Sequence, residues 1–343
     1  MKTYSTGVLR PSKSNIAKSA ELILRGDPIV VPTETVYGLA VNAYNPEAIR
    51  TIFAIKGRPQ DNPLIVHISS MEMFKELTTA DYPIIQQLAE AFWPGALTMV
   101  LPKSDRVPDE VTAGLDTVAI RYPSNPIINL LIQQAGVPLA APSANQSGSP
   151  SPTLAKHVYH DLAGKVPIIL DGLKATIGVE STVIAVSPSK IKLLRPGAIT
   201  IPMLEKICGE IEVDEAVFCQ VEEGKPISSP GMKYKHYSPK AQIVLVKGSL
   251  EQFANYVNAR LENGVFALVF NGEEEALDCI SFCYGGNAKE RARDLFLYLR
   301  KMDDFRAKTV YVRCPPAEGL DLAVYNRLLR ASGFDVRDAS KDS

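Results

Sequence analysis

The stretch NPEAIRTIFAIKGRPQDNPLIVHI, residues 45–68, decides the fold because it joins a capped helix to a strand through a polar loop. Asn45 and Pro46 are typical of the first positions of a helix, and Gly57 is typical of the residue that ends one. The apolar run at residues 64–68 predicts a strand. Helix followed by strand at this spacing is typical of an α/β protein.

Two cations in this loop, and a second loop far along the chain, form the first candidate site. Lys56 and Arg58 are two residues apart and can present two positive charges to one ligand. The segment Ser143-Ala144-Asn145 offers backbone N–H groups and short side chains that an anion can approach closely. A solvated helix end and an ordinary polar turn are the alternative interpretations. Taken together, the two segments predict an anion-handling site.

The order of the remaining patterns predicts two domains. Helices and strands alternate through residues 1–205, and several strands follow one another near the end of that region, which predicts a mixed twisted sheet with flanking helices. Residues 206–239 become rich in Gly, Pro and Ser and include two Lys, two Tyr and a His close together, which predicts an interdomain linker. Strand–helix alternation restarts at about residue 240 and predicts a small parallel α/β, Rossmann-like domain.

Composition excludes several classes of protein. The chain has 343 residues, of which 46% are hydrophobic and 22% charged, and its formal net charge is -1. This charge argues against nucleic-acid binding through bulk electrostatics. The five cysteines have no zinc-finger spacing and do not indicate a disulfide framework. No apolar run approaches the length of a membrane span and no apolar signal core follows Met1, so we expect a cytoplasmic protein with no membrane partner.

Further cationic and imidazole side chains fall at strand ends. Arg121 and Arg195 each end an apolar strand and precede a proline within two residues, which predicts a shared cationic cleft, although either could be a surface arginine. His67 near a strand end is either a site residue or a satisfied core histidine. His157 and His160 lack a carboxylate or Cys companion at ligand spacing, so we interpret them as a solvated helix face and predict no protein metal site. The glycine-rich motifs of common nucleotide-binding folds are absent.

Seven motifs, in order, resemble those of the YrdC-type threonylcarbamoyl-AMP synthases, in the long two-domain form with a C-terminal extension. They are PTETVYGL (32–39), KGRP with NPL (56–64), FWPGALT (92–98), PSAN (142–145), GVEST (178–182), LRPG (194–197) and SPGMKYKHY (229–237). Each motif alone is modest, but the order is specific and covers nearly the whole chain. The resemblance implies a YrdC-like catalytic domain at 1–205, a linker at 206–239 that forms a lid over the active site, and a C-terminal α/β domain at 240–343.

The family activity implied is a nucleotidyltransferase reaction. L-threonine, bicarbonate and ATP give threonylcarbamoyl-adenylate and pyrophosphate, with Mg²⁺ expected on the triphosphate. A separate transferase then moves the threonylcarbamoyl group to tRNA, so direct contact of this chain with tRNA would be weak or transient.

The resemblance also assigns roles to residues. It implies ATP contacts for seven of them: Arg58, Asn62, Thr117, Ser143, Ser151, Arg195 and Tyr234. It implies threonine contacts for five: Thr35, His67, Arg121, Ala141 through its backbone, and Ser181. The residues expected to act on the reacting groups are Lys56, Arg58, Ser143 and Asn145.

Three other functions stay open at this point. A non-catalytic RNA-binding module would use the same basic cleft and would bind RNA with a steep salt dependence. A different carbamoyl- or nucleotidyl-transferring enzyme could use this domain, although such relatives carry zinc-finger segments that this cysteine spacing does not supply. A regulatory nucleotide-binding protein could sense a ligand through its second domain.

Overall fold

The computed structural model describes residues 2–220 and 236–341, and the chain divides into two compact units. The first unit contains most of residues 2–217, and the second contains all of residues 236–341. Each unit has a sheet and a hydrophobic core of its own.

The helices and strands of the first unit follow the alternation expected from the sequence. Its α-helices are α1 (Lys13–Leu24), α2 (Pro46–Lys56), α3 (Met71–Leu77), α4 (Pro83–Phe92), α5 (Asp109–Thr112), α6 (Pro126–Ala135), α7 (Ala155–Leu162) and α8 (Ile201–Cys208). Its strands are β1 (Gly7–Leu9), β2 (Ile29–Val31), β3 (Gly38–Asn42), β4 (Ile65–His67), β5 (Leu97–Pro102), β6 (Thr117–Arg121), β7 (Leu139–Ala140), β8 (Ile168–Leu170), β9 (Thr182–Val186), β10 (Ile191–Arg195) and β11 (Glu212–Val213).

Helix α2 begins and ends where its capping residues predict. The Asn45 side chain accepts a hydrogen bond from the N–H of Ala48, which satisfies one of the helix's first donors. Gly57 takes the left-handed conformation with φ 61° and donates its N–H to the carbonyl of Phe53. These caps place Lys56 in the last turn of the helix.

The strands of the first unit form one sheet in the order β1-β8-β2-β3-β7-β4-β6-β5-β9-β10-β11. Parallel and antiparallel neighbours are mixed: β4 is parallel to β6 and antiparallel to β7, and β5 is antiparallel to β6 and parallel to β9. The prediction of a mixed sheet is confirmed. In the centre of this sheet His67 of β4 pairs in register with Arg121 of β6, and Arg121 pairs with Thr98 of β5.

Some elements of the first unit differ from the sequence prediction. Strands β1, β3 and β11 were not predicted, because short strands gain most of their stability from pairing with distant partners rather than from their own pattern. Helix α7 carries His157 and His160, and the prediction that both lie on a solvated face is wrong for His157. That residue is only 7% exposed, whereas the side chain of His160 is exposed.

The second unit is a parallel α/β domain, as predicted. Its strands are β12 (Gln242–Lys247), β13 (Val265–Val269), β14 (Ile280–Cys283), β15 (Thr309–Arg313) and β16 (Val336–Asp338), and its α-helices are α9 (Leu250–Asn258), α10 (Ala288–Asp304) and α11 (Asp321–Ala331). The sheet order is β14-β13-β15-β12-β16, and each neighbouring pair is parallel. Strands β14 and β16 were not predicted. Across the described segments of both units, no helix is long and apolar enough to cross a membrane.

Candidate active site

The two segments that the sequence paired lie in direct contact. The Lys56 ammonium group donates hydrogen bonds to the carbonyl oxygens of Ser143 and Asn145, the second at 2.6 Å. The N–H of Ser147 donates to the carbonyl of Lys56 at 2.9 Å. Lys56 is 4% exposed, so its charge is held against the loop of residues 143–147. Hydrogen bonds through Lys56 therefore fix the C-terminal end of α2 against the loop of residues 143–147.

Asn62 is a candidate ligand-binding residue in this region because its side-chain amide is buried without hydrogen-bond partners among the described residues. It is 1% exposed, and neither polar atom of its amide has a partner among the described residues. Its backbone carbonyl accepts a hydrogen bond from Arg58 Nη2 at 3.3 Å, and that nitrogen also donates to the carbonyl of Pro63 at 3.1 Å. Because a buried amide without partners is destabilising, this arrangement indicates a group that completes its hydrogen bonds on ligand binding.

The predicted ATP and threonine residues mark two ends of the same central strands. Asn62 precedes β4 and Thr117 begins β6, whereas His67 ends β4 and Arg121 ends β6. Arg121 lies four steps along the extended strand from Thr117, a distance of about 13 Å. We call these the Asn62 end and the Arg121 end of the site.

Arg121 is held at its end by three hydrogen bonds to two segments of the chain. Its Nη2 donates to the Glu34 carboxylate at 2.6 Å, its Nη1 to Thr35 Oγ1 at 2.8 Å, and its Nε to the carbonyl of Gly95 at 3.2 Å. The side chains of Arg121 and Glu34 are both more than nine-tenths buried. Burial opposes the ionisation of Glu34, but the guanidinium charge and the hydrogen bonds it receives hold its pKa below the usual value.

His67 is a buried, neutral imidazole beside this ion pair. It is 3% exposed, and its Nδ1 atom has no hydrogen-bond partner within the two described segments. Burial, reinforced by the neighbouring Arg121 charge, lowers its pKa to about 3. The ring can therefore accept a hydrogen bond from a ligand at Nδ1.

Ser181 connects Arg195 to the Arg121 end. Its hydroxyl is 2.8 Å from Thr98 Oγ1, and Thr98 is the register partner of Arg121. Arg195 donates from Nη2 to Ser181 Oγ at 3.2 Å and from Nε to the Ser181 carbonyl at 3.1 Å. Contacts through Thr98 and Ser181 therefore link Arg195 of β10 to the strand that carries Arg121.

The remaining predicted residues lie around these groups, with one exception. The hydroxyl of Ser151 donates to the buried carboxylate of Glu180, the residue before Ser181. The N–H of Ala141 donates to the carbonyl of Ile65 at 3.0 Å, so a ligand would meet Ala141 at its carbonyl oxygen. Tyr234 lies outside the described residues.

Three buried groups of the site were missed at the level of sequence: Glu34, Glu180 and Thr98. Glu34 lies within the PTETVYGL motif, three residues after the buried strand β2, which was the available indication. No cluster of three or more His, Cys, Asp or Glu side chains suited to a metal ion occurs in the described parts of the chain.

Comparison with known proteins fits this architecture. A mixed sheet with polar groups at both ends of its central strands, followed by a parallel α/β unit, defines the class of two-domain YrdC-type proteins. The Sua5/YciO/YrdC family model, described as "Telomere recombination", matches residues 21–197, and the model described as "Threonylcarbamoyl-AMP synthase, C-terminal domain" matches residues 199–333. The chain belongs to the Sua5/YciO/YrdC family.

Relatives match over nearly the full length of the chain. A protein of Bacillus subtilis named threonylcarbamoyl-AMP synthase is 43% identical over 338 residues, which cover 96% of each chain. A protein of the same name from Pyrococcus abyssi is 42% identical and covers 93% of this chain and 94% of its own. The crystal structure of P. abyssi Sua5 complexed with L-threonine superposes with a TM-score of 0.91 at 40% identity, covering 97% of this chain and 98% of that one.

Proposed function

We propose that this chain is an L-threonylcarbamoyladenylate synthase, a nucleotidyltransferase that makes threonylcarbamoyl-AMP and pyrophosphate from L-threonine, bicarbonate and ATP. The observation that carries the proposal is the full-length similarity to proteins named for this reaction, at 43% and 42% identity. The geometry supports it, because the site contains an arginine suited to a carboxylate and, some distance away, a buried polar group, as a reaction that joins an amino acid to a nucleotide requires.

The Arg121 end is suited to threonine. Arg121 would bind the threonine carboxylate, since guanidinium and carboxylate groups form paired hydrogen bonds. His67 Nδ1 would accept a hydrogen bond from the amino acid, and the Ala141 carbonyl would accept one from its amine. Thr35 and Ser181 line the same end through their contacts with Arg121 and Arg195. The P. abyssi structure complexed with L-threonine supports this assignment to an amino acid.

The ATP contacts would extend from the Asn62 end toward Arg195. Asn62, Arg58 and Thr117 would hold one part of the nucleotide. Ser143, Ser151, Arg195 and Tyr234 would complete the binding site. Mg²⁺ would be held mainly by phosphate oxygens and water, because the buried carboxylates Glu34 and Glu180 already accept hydrogen bonds from protein groups. Bound there, the ion would offset the charge of the triphosphate.

Catalysis would consist mostly of positioning. The deprotonated threonine amine, whose ammonium proton has passed to solvent, bonds to the carbon of bicarbonate with loss of water. An oxygen of the resulting carbamate attacks the α-phosphorus of ATP, from which pyrophosphate leaves. Lys56 would act by holding the Ser143–Asn145 loop against these groups, and Arg58 by offsetting phosphate charge. Ser143 and Asn145 would orient the reacting groups.

The domain division and the partners belong to the same proposal. The catalytic domain would span 1–205, the lid 206–239 and the C-terminal domain 240–343. Helix α8 continues past residue 205, strand β11 (Glu212–Val213) belongs to the sheet of the first unit, and residues 221–235 of the lid lie outside the described residues. The product would pass, in the cytoplasm, to a separate transferase that modifies tRNA, with at most transient contact between this chain and tRNA.

The test is a reaction with ATP, bicarbonate and labelled threonine, from which each substrate is omitted in turn. We expect threonylcarbamoyl-adenylate only when all three are present. Arg58→Ala should abolish threonine-dependent pyrophosphate release, whereas Arg50→Ala, on the preceding helix α2 and in an exposed ion pair with Glu110, should leave the rate unchanged. Product formed without threonine, or none with all three substrates, would reject the proposed function.

A further inference from the structure

Glu34 joins three segments at the Arg121 end, yet neither its motif nor the family resemblance assigns it a role. Its carboxylate accepts a hydrogen bond from Arg121 Nη2 at 2.6 Å and from the backbone N–H groups of Ser124 and Asn125 at 3.1 and 3.3 Å. Its own carbonyl accepts the N–H of Ile177 at 2.8 Å. The side chain is 8% exposed, so these contacts are made away from bulk water.

Glu34 accepts hydrogen bonds from two kinds of group that proteins use to bind phosphate. An arginine guanidinium pairs with phosphate as readily as with carboxylate. The N–H groups at the start of a helix also favour anions, and Ser124 and Asn125 directly precede the ten-residue helix α6. The Glu34 carboxylate accepts hydrogen bonds from both the guanidinium and these N–H groups. The pocket therefore contains a neutral ion pair instead of an open phosphate site.

Arg121 nevertheless keeps donors for a substrate. Three of its five N–H groups donate to Glu34, Thr35 and Gly95. Among the described residues, no acceptor is found for one N–H on Nη1 and one on Nη2. Two N–H groups are the number that a bidentate carboxylate uses.

We propose that Glu34 is a specificity-determining positioning residue that reserves Arg121 for the carboxylate of a zwitterionic amino acid and keeps phosphate groups out of the Arg121 end. This inference rests on the proposed function, in which ATP and pyrophosphate share the site with threonine. A zwitterion adds no net charge to the buried Glu34–Arg121 pair, whereas a phosphate adds charge that nothing there compensates. Glu34 would thereby prevent the phosphates of ATP and pyrophosphate from competing with threonine for the amino-acid position.

The experiment uses inorganic phosphate as the probe against full-length chain, with labelled threonine varied at saturating ATP. We expect phosphate to compete weakly or not at all with threonine in the wild type. Glu34→Gln keeps the length of the side chain and one acceptor oxygen but removes its charge. In this variant phosphate should become competitive with threonine, with an inhibition constant at least about tenfold lower than in the wild type. Glu110→Gln, which removes the carboxylate of the exposed Arg50–Glu110 pair, is the matched control and should behave as wild type.

A second variant separates charge from shape. Glu34→Asp retains the charge but shortens the side chain, so the KM for threonine should rise while phosphate stays a weak competitor; this result decides by itself if Glu34→Gln does not fold. Equal phosphate inhibition in wild type and Glu34→Gln would overturn the proposal, and so would strong competition by phosphate in Glu34→Asp. Failure of the wild type to form product would reject the proposed function instead, so the two failures are distinguishable.

Discussion

At the residue scale, burial decides which chemistry His67 can perform. A histidine near a predicted active site suggests a general base, but burial and the nearby Arg121 charge lower the pKa of His67 to about 3. An imidazole with so low a pKa is too weak a base to remove a proton from a threonine ammonium group. It can still accept a hydrogen bond at Nδ1. The proposed role is therefore binding rather than proton transfer.

The same pKa makes the stability of the protein depend on pH. Below the ordinary histidine value of about 6.5, the unfolded chain binds a proton at His67 and the folded chain does not until about pH 3. Stability from this group is therefore complete above pH 6.5 and falls by about 1.4 kcal/mol per pH unit as the pH decreases through that window.

Denaturant unfolding at pH 7.5 and pH 5.0 tests this expectation. Between these two values the wild type should lose about 2 kcal/mol more stability than His67→Asn. His160→Asn, a change at an exposed position that leaves His67 in place, should retain the wild-type loss. Equal losses in the wild type and His67→Asn would contradict the assignment of a buried neutral histidine.

Of two buried polar residues in the site, Asn62 could be predicted from the sequence and Glu34 could not. Asn62 was predicted through the family motif, and its unpartnered buried amide agrees with a ligand contact. Glu34 was missed because its significance comes from Arg121, which is 87 positions away along the chain. A partner at that separation leaves no pattern around Glu34 from which the ion pair could be predicted.

At the element scale, α2 and its C-terminal glycine position the cations of the Asn62 end. Gly57 has φ 61°, and a Cβ atom there would meet no heavy atom within 4 Å. Gly136, which ends α6, has φ 66° and equally open surroundings. The two positions therefore share the same backbone strain and differ in whether catalytic candidates are their neighbours.

Alanine at either glycine should reduce stability by about 1 kcal/mol, since a side chain in the left-handed conformation is strained. Only Gly57→Ala should also raise the KM for ATP, because it displaces Lys56 and Arg58 on either side of it. Thermal unfolding measures the first effect and initial rates the second. A comparable rise in KM for Gly136→Ala would argue against a local role for the helix end.

Helices were predicted better than strands because the residues that define a helix are close together in the sequence. The caps of α2 are adjacent in sequence to the helix they end, so Asn45 and Gly57 delimit it without reference to the rest of the chain. The short strand β3, in contrast, is defined by its pairing with β2 and β7. Those partners come from positions on either side of β3 in the sequence and meet it only after folding.

At the scale of the whole molecule, the two units have separate cores. The main clusters of buried hydrophobic residues in the first unit are drawn from residues 16–211, whereas a cluster in the second unit is drawn from residues 244–339. Independent cores are what autonomous folding requires.

Truncation after Gly231 should therefore leave a first unit that unfolds cooperatively in urea. Its rate of threonylcarbamoyl-adenylate formation should fall, because the truncation removes Tyr234 and the end of the proposed lid. The full-length chain carrying Tyr234→Phe is the control for loss of one hydroxyl alone. An undiminished rate in the truncated chain would reject the lid.

The sequence by itself determined the local elements, the two-unit α/β organisation and the family, because caps, periodicity and ordered motifs are written in neighbouring residues. Only the tertiary structure decided that His67 is neutral, that Arg121 is neutralised by Glu34, and that the Asn62 and Arg121 ends are separated along β4 and β6. These properties depend on burial and on contacts between residues far apart in the chain. The stretch of residues 45–68 supplies His67 at the end of β4, but the fold determines what that residue can do.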